Sequence, residues 1–326
     1  MKILLVAAML AATALPTYAQ SYGARLEGFT YPHPVKTFTL TSQNQPLEMA
    51  FMDIRPTKAN GRTVVLLHGK NFCGATWEGT IAALSTAGYR VIVPDQIGFC
   101  KSSKPLAYQF SLAQLAANTE ALIKAQEIGK VTIVGHSMGG MLGMRFALNY
   151  PQSVEKLVLV NPIGLEDWQG LGVPYATPDQ LYQGELKTTA DSIKNYQLKF
   201  YYNGRWKPEY DRWVAMQAGL YAGPGKEAVA WAQARTSEMI FTQPVVHELS
   251  RITAPTVLMI GQTDRTAPGG NRASPELQAR LGDYPALGKA AAAVIPNAQL
   301  IEFADLGHSP QVEAPERFHA ELLKAL

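Results

Sequence analysis

Gly135-His136-Ser137-Met138-Gly139 is the stretch that most restricts how this chain can fold. It follows the apolar, β-branched run Val131-Thr132-Ile133-Val134 and precedes a helix-like run from Gly140 through Tyr150. A serine between two glycines at a strand-to-helix switch needs a turn sharp enough to lift its hydroxyl out of the sheet. That backbone is strained, and Gly135, Gly139 and Gly140 remove side chains that would clash with it. The following helix aims its free N-terminal amides at the same spot, which favours negative charge beside Ser137. The pentapeptide also fits a glycine-rich turn between core elements, so its surroundings carry the choice.

Those surroundings alternate strand with helix. Val35 to Leu40 and Leu47 to Ile54 read as strands joined by a polar turn at Ser42-Gln43-Asn44-Gln45. Near-continuous apolar runs at 62–67, 89–94, 131–134, 156–160, 255–261 and 299–303 read as buried strands. Helical spacing occupies 77–87, 112–125 and 315–326. This rhythm predicts a mostly parallel, eight-stranded α/β sheet covered on both faces. From 165 to 250 the rhythm breaks. No buried strand is evident there, aromatics are frequent, and helical spacing appears near Ile193–Phe200 and Ala228–Ile240. The segment reads as a mostly helical insertion after the sixth strand, dividing a core of 20–164 and 251–326. The connection from 267 to 296 is longer than usual and suggests a local elaboration.

Lys2, the apolar run Ile3 to Leu15 and Thr17-Tyr18-Ala19 form a secretory signal pattern, residues 1–19, with cleavage expected after Ala19. The run is short for a membrane span. A periplasmic or secreted protein without stable membrane insertion is expected. A net charge of +3 over 326 residues, with no Lys/Arg cluster, offers no case for nucleic-acid binding. Export and an even count of two cysteines, Cys73 and Cys100, invite a disulfide reading.

A serine hydroxyl becomes a nucleophile when a base takes its proton, and histidine suits that task near neutral pH. His308, in Asp305-Leu306-Gly307-His308-Ser309-Pro310, leaves the last strand at the sheet edge that also carries Ser137. Asp264, after the preceding strand, is the expected partner of His308. Asp305, Glu166 and Asp167 are the other acids considered. The histidines lack metal-ligand spacing, so neither metal nor cofactor is expected.

The chain resembles the α/β-hydrolase superfamily, in its capped, serine-nucleophile esterase and epoxide-hydrolase-like branch. The matching residues are His68-Gly69, Trp77, Pro94-Asp95 with Gly98 and Ser102, the Ser137 turn, the Asp264 turn, Gly307-His308 and Pro315 to Phe318. The resemblance implies Ser137, Asp264 and His308 as a catalytic triad and the backbone amides of Lys70 and Met138 as an oxyanion hole. It makes His68 a structural residue that orients its loop, and 165–250 a cap. It also makes neighbours of the loops bearing Cys73 and Cys100, the latter standing where the family's Asp-x-x-Gly-x-Gly-x-Ser pattern has its second glycine. A disulfide there would pin the oxyanion loop. The implied activity is hydrolysis of a small-molecule carboxylic ester or related acyl bond through an acyl-enzyme on Ser137. Lactonase, carbon–carbon bond hydrolase and perhydrolase are alternatives on the same triad. A ligand-binding module with a silent triad is the alternative from another class.

Overall fold

Gln43 and Asn44 both adopt left-handed backbone, φ 51° and 58°. Two such residues form the tight turn that suits a hairpin's twist, and they join β1 (Val35–Ser42) to β2 (Gln45–Ile54) in antiparallel register. The computed structural model describes residues 20–326, so the expected leader at 1–19 lies outside the described residues.

Beyond the hairpin come β3 (Thr63–Leu67), α1 (Glu78–Thr86), β4 (Arg90–Pro94), α2 (Leu112–Ala125), β5 (Val131–His136), α3 (Met138–Asn149) and β6 (Val154–Val160). Four helices then intervene: α4 (Pro178–Glu185), α5 (Ala190–Phe200), α6 (Asp211–Ala222) and α7 (Lys226–Thr242). The sheet resumes with β7 (Thr256–Gly261), followed by α8 (Pro275–Gln278), α9 (Tyr284–Val294), β8 (Ala298–Phe303), α10 (Pro310–Glu313) and α11 (Pro315–Ala325). The eight strands lie in the order β1-β2-β4-β3-β5-β6-β7-β8, parallel from β4 to β8. The fold is that of the α/β hydrolases.

Every residue of β5 and β7 is buried, as expected where helices cover both faces. Alternation sorts the strands' side chains between two cores. Val65 and Leu67 pack with Leu115, Leu122 and Met141 on one face. Val64 and Leu66 pack with Trp77, Ile81, Phe318 and Leu322 on the other. The connection from β3 leaves toward β4, whereas that from neighbouring β5 leaves toward β6. The carboxyl ends of β3 and β5 therefore flank a topological switch point, where open α/β sheets form their crevices.

The stretch from 267 to 296 holds less irregular chain than its prolines and glycines suggest. The alanine run at 290–293 lies within α9, which together with α8 makes this segment the crossover from β7 to β8.

Candidate active site

Leu67 at the end of β3 pairs with Gly135 near the end of β5. The turn after β5 must pass this close neighbour. A Cβ on Gly139 would overlap the Leu67 carbonyl, and one on Gly135 would overlap the Gly139 carbonyl. Ser137 takes φ 56° and ψ −119°, a strained conformation for a residue with a side chain. Its carbonyl accepts from the amides of Gly140, Met141 and Ile163, and its amide donates to Val160. These bonds hold the turn. Ser137 is 5% exposed and its side chain lines a cavity.

Asp264 and His308 leave β7 and β8 at the same edge and are both fully buried. His308 Nδ1 lies 2.6 Å from Asp264 Oδ2. A carboxylate only accepts, so in the neutral ring Nδ1 is the nitrogen that carries the proton and Nε2 the one that keeps a lone pair. That Nε2 is buried without a hydrogen-bond partner, and no hydrogen bond joins it to the Ser137 hydroxyl. The carboxylate is oriented in turn: Asn161 Nδ2 donates to Oδ2 at 2.9 Å and the Thr266 amide to Oδ1 at 2.8 Å. His136, adjacent to Ser137, reaches the His308 carbonyl through Nε2 at 2.8 Å. Burial, reinforced by nearby His308, holds the His136 pKa well below the ordinary histidine value. The ring is therefore neutral and Nε2–H donates, which ties the serine turn to the histidine loop. Asp305 pairs with Arg317, Glu166 accepts from Gly282 and Trp168, and Asp167 faces His247. Asp264 is the acid that bonds His308.

The loop after β3 is tied down on several sides. His68 Nδ1 lies 2.9 Å from the Gly69 carbonyl, and Nε2 accepts from the Gln96 amide at 3.0 Å. Asp95 accepts from the amides of Gly74 and Lys101 and from the Tyr31 hydroxyl. Cys73 and Cys100 lie at disulfide distance beside it, their Cα atoms 6.0 Å apart. The amides of Lys70 and Met138 make no loop or cap hydrogen bond among the described residues.

The helical insertion lies over this edge. Tyr201, which follows α5, holds its ring 4.8 Å from that of His308, and its hydroxyl accepts from Asn71 Nδ2 at 2.9 Å. Lys70 pairs with Glu185 of α4 at 3.1 Å. Between insertion and core is a cavity of about 340 Å³ lined by Ser137, Lys70, Tyr196, Tyr201, Phe241 and Arg272 among others. Most of the insertion's other aromatics pack into the core.

The model of the α/β hydrolase fold family matches residues 62–315. The chain belongs to the α/β-hydrolase fold family. A crystal structure from Pseudomonas aeruginosa, described as a probable hydrolytic enzyme, is 59% identical with a TM-score of 0.94. The match covers 95% of this chain and 99% of that one. A putative carbamate hydrolase of Yersinia enterocolitica is 26% identical over 89% of this chain and 91% of its own length. An uncharacterized protein of Mycobacterium tuberculosis is 40% identical over 106 residues, and there the match spans 32% of this chain and 30% of the relative.

Within this hydrolase fold, Cys100 has φ 43°. A left-handed backbone explains why the family pattern has glycine at this position. Sequence reasoning did not find Asn161, Tyr201 or Arg272 as residues of the site. Asn161 had a faint signal, as a polar residue ending a buried strand before proline. Tyr201 and Arg272 sit in stretches with no periodic pattern to mark them.

Proposed function

We propose that this chain is an exported serine hydrolase that cleaves a carboxylic ester or related acyl bond. The observation that carries the reading is the buried His308, held by Asp264 through Nδ1 with Nε2 unpartnered, on the edge where the strained turn presents Ser137. Catalytic hydrogen bonds are commonly long in the free enzyme and tighten once substrate is bound. On that view the Ser137–His308 bond closes in the substrate complex.

Ser137 Oγ attacks the carbonyl carbon while His308 Nε2 takes the hydroxyl proton. The carbonyl π pair moves onto oxygen, and the Lys70 and Met138 amides hold that oxyanion, aided by the N-terminus of α3. Collapse re-forms the carbonyl and breaks the ester C–O bond. His308 returns its proton to the departing alcohol. A water then repeats the sequence on the acyl-enzyme, with His308 as base, and releases the acid and the free serine. Asp264 orients the imidazole and stabilises its protonated form.

Two relatives are named as hydrolases, the probable hydrolytic enzyme and the putative carbamate hydrolase. Export is supported by the leader pattern at 1–19 and by cysteines at disulfide distance, a pairing suited to an oxidising compartment. No helix of the described residues is long and apolar enough to cross a membrane.

The test is a turnover screen across p-nitrophenyl esters, lactones and aryl carbamates, with Ser137→Ala as the blank. The expected outcome is ester turnover that falls on the order of 10⁵-fold in the variant. Equal rates for the two proteins would refute Ser137 as nucleophile.

A further inference from the structure

Three charged side chains line the cavity above Ser137: Lys70, Glu185 and Arg272. Lys70 and Glu185 neutralise one another, and the Tyr221 hydroxyl also donates to Glu185. Arg272 has no ion-pair partner among the described residues. Its guanidinium is nevertheless held in place. Nε donates to the Pro174 carbonyl at 2.8 Å, and the cation lies 4.9 Å from the centre of the Phe241 ring. On another side it rests on Gly269, where any Cβ would overlap Nη2. Nη1 and Nη2 make no hydrogen bond among the described residues, so one edge of the planar fork is unused.

The position of this fork is as telling as its state. A second, wider cavity of about 810 Å³ adjoins the first. Ala176, Leu181, Glu185, Tyr196, Asn271 and Arg272 line both, whereas Ser137 lines only the inner one. Arg272 therefore stands where the two cavities meet. The inner walls contributed by Ile163, Leu181 and Ile240 suit a short apolar chain.

We infer that Arg272 is a specificity-determining residue that binds a free carboxylate on the substrate, remote from the bond that Ser137 attacks. The inference deepens the acyl-transfer reading and rests on it: the substrate class becomes short esters bearing a carboxylate. A carboxylate matches the planar fork with two parallel hydrogen bonds. One uncompensated positive charge is balanced by one negative charge. A dianionic phosphate would leave a surplus negative charge close to Glu185.

The test compares kcat/KM for p-nitrophenyl hydrogen glutarate with that for its neutral methyl ester, which shares the leaving group. The wild-type enzyme is expected to prefer the acid, and Arg272→Met to lower the acid-to-ester ratio about 10- to 100-fold, with Arg272→Lys between them. A merely structural staple would impair both substrates alike and leave the ratio unmoved. A wild-type ratio at or below one, or a ratio unmoved in Arg272→Met, would overturn the inference. A calorimetric arm uses the Ser137→Ala protein with monomethyl glutarate and dimethyl glutarate. Tighter binding of the monoanion, lost when Arg272→Met is added, supports the carboxylate site even if neither ester is hydrolysed. In that case the acyl-transfer reading fails alone. Equal binding of the two glutarates counts against the site.

Discussion

Glu313 sets how the histidine loop is held. Its Oε1 accepts the amide of Gly307, the residue before His308, at 2.6 Å. Gly307 also abuts the Tyr201 carbonyl so closely that a Cβ there would overlap it. Burial pushes the Glu313 carboxyl up to about 7, with the Gly307 hydrogen bond opposing and nearby Asp264 and Asp305 adding to the rise. A carboxyl with a raised folded pKa binds its proton more tightly in the native state. Its contribution to stability is fully present below the ordinary value of 4.5 and is lost as pH rises through about 7. Glu313→Gln keeps an acceptor for Gly307 and removes the titration. Melting temperatures measured from pH 4.5 to 7.5 are expected to fall less steeply with pH in the variant than in the wild type. Identical slopes would contradict this. At this scale the placement of Ser137, Asp264 and His308 at one edge of the sheet was legible, because each follows a recognisable strand within a short motif. That of Asn161 and Arg272 was not, because their partners Asp264 and Pro174 lie far away along the chain, and that of Glu313 was not, because its bond to Gly307 depends on how the histidine loop turns.

Two loops act as one element at the rim of the site. The segment after β3 and the segment after β4 are joined by His68 to Gln96, by Asp95 to Gly74 and by the proximity of Cys73 to Cys100. A bridge across a separation of 27 residues restrains the unfolded chain by about 3.5 kcal/mol in the loop-entropy account. Cys100 also bears the strain of its left-handed backbone, which glycine adopts without penalty. Cys73→Ser with Cys100→Ser should lose roughly 2–4 kcal/mol in denaturant unfolding. Cys73→Ser with Cys100→Gly should recover about 1 kcal/mol of that loss. A Gly variant less stable than the Ser variant would argue against strain at this position. The elements themselves were readable to differing degrees. Strands buried on both faces and the amphipathic α2 stood out by their apolar runs. In the insertion, α6 did not, because Trp213, Val214, Met216, Gly219, Leu220 and Tyr221 bury more than one face and leave no single stripe. The polar α4 offered no apolar pattern either.

Across the whole molecule, the sheet order brings the ends of β3, β5, β7 and β8 to one edge, and the chain between β6 and β7 covers that edge. Strand alternation made this architecture legible because a parallel sheet needs helices on both faces. The shape of the cavity was not legible, since it is set by tertiary contacts between the insertion and the loops: Lys70 with Glu185, Asn71 with Tyr201, Arg272 with Pro174. Nucleophilic attack by Ser137 with His308 as base is measured most directly by intact-protein mass spectrometry, with peptide mapping, after reaction with a fluorophosphonate. One adduct is expected, mapped to Ser137, with a rate of formation that drops by about 10³-fold or more when His308→Ala removes the base. An unmodified Ser137, or an adduct that forms at the wild-type rate without His308, would contradict that mechanism.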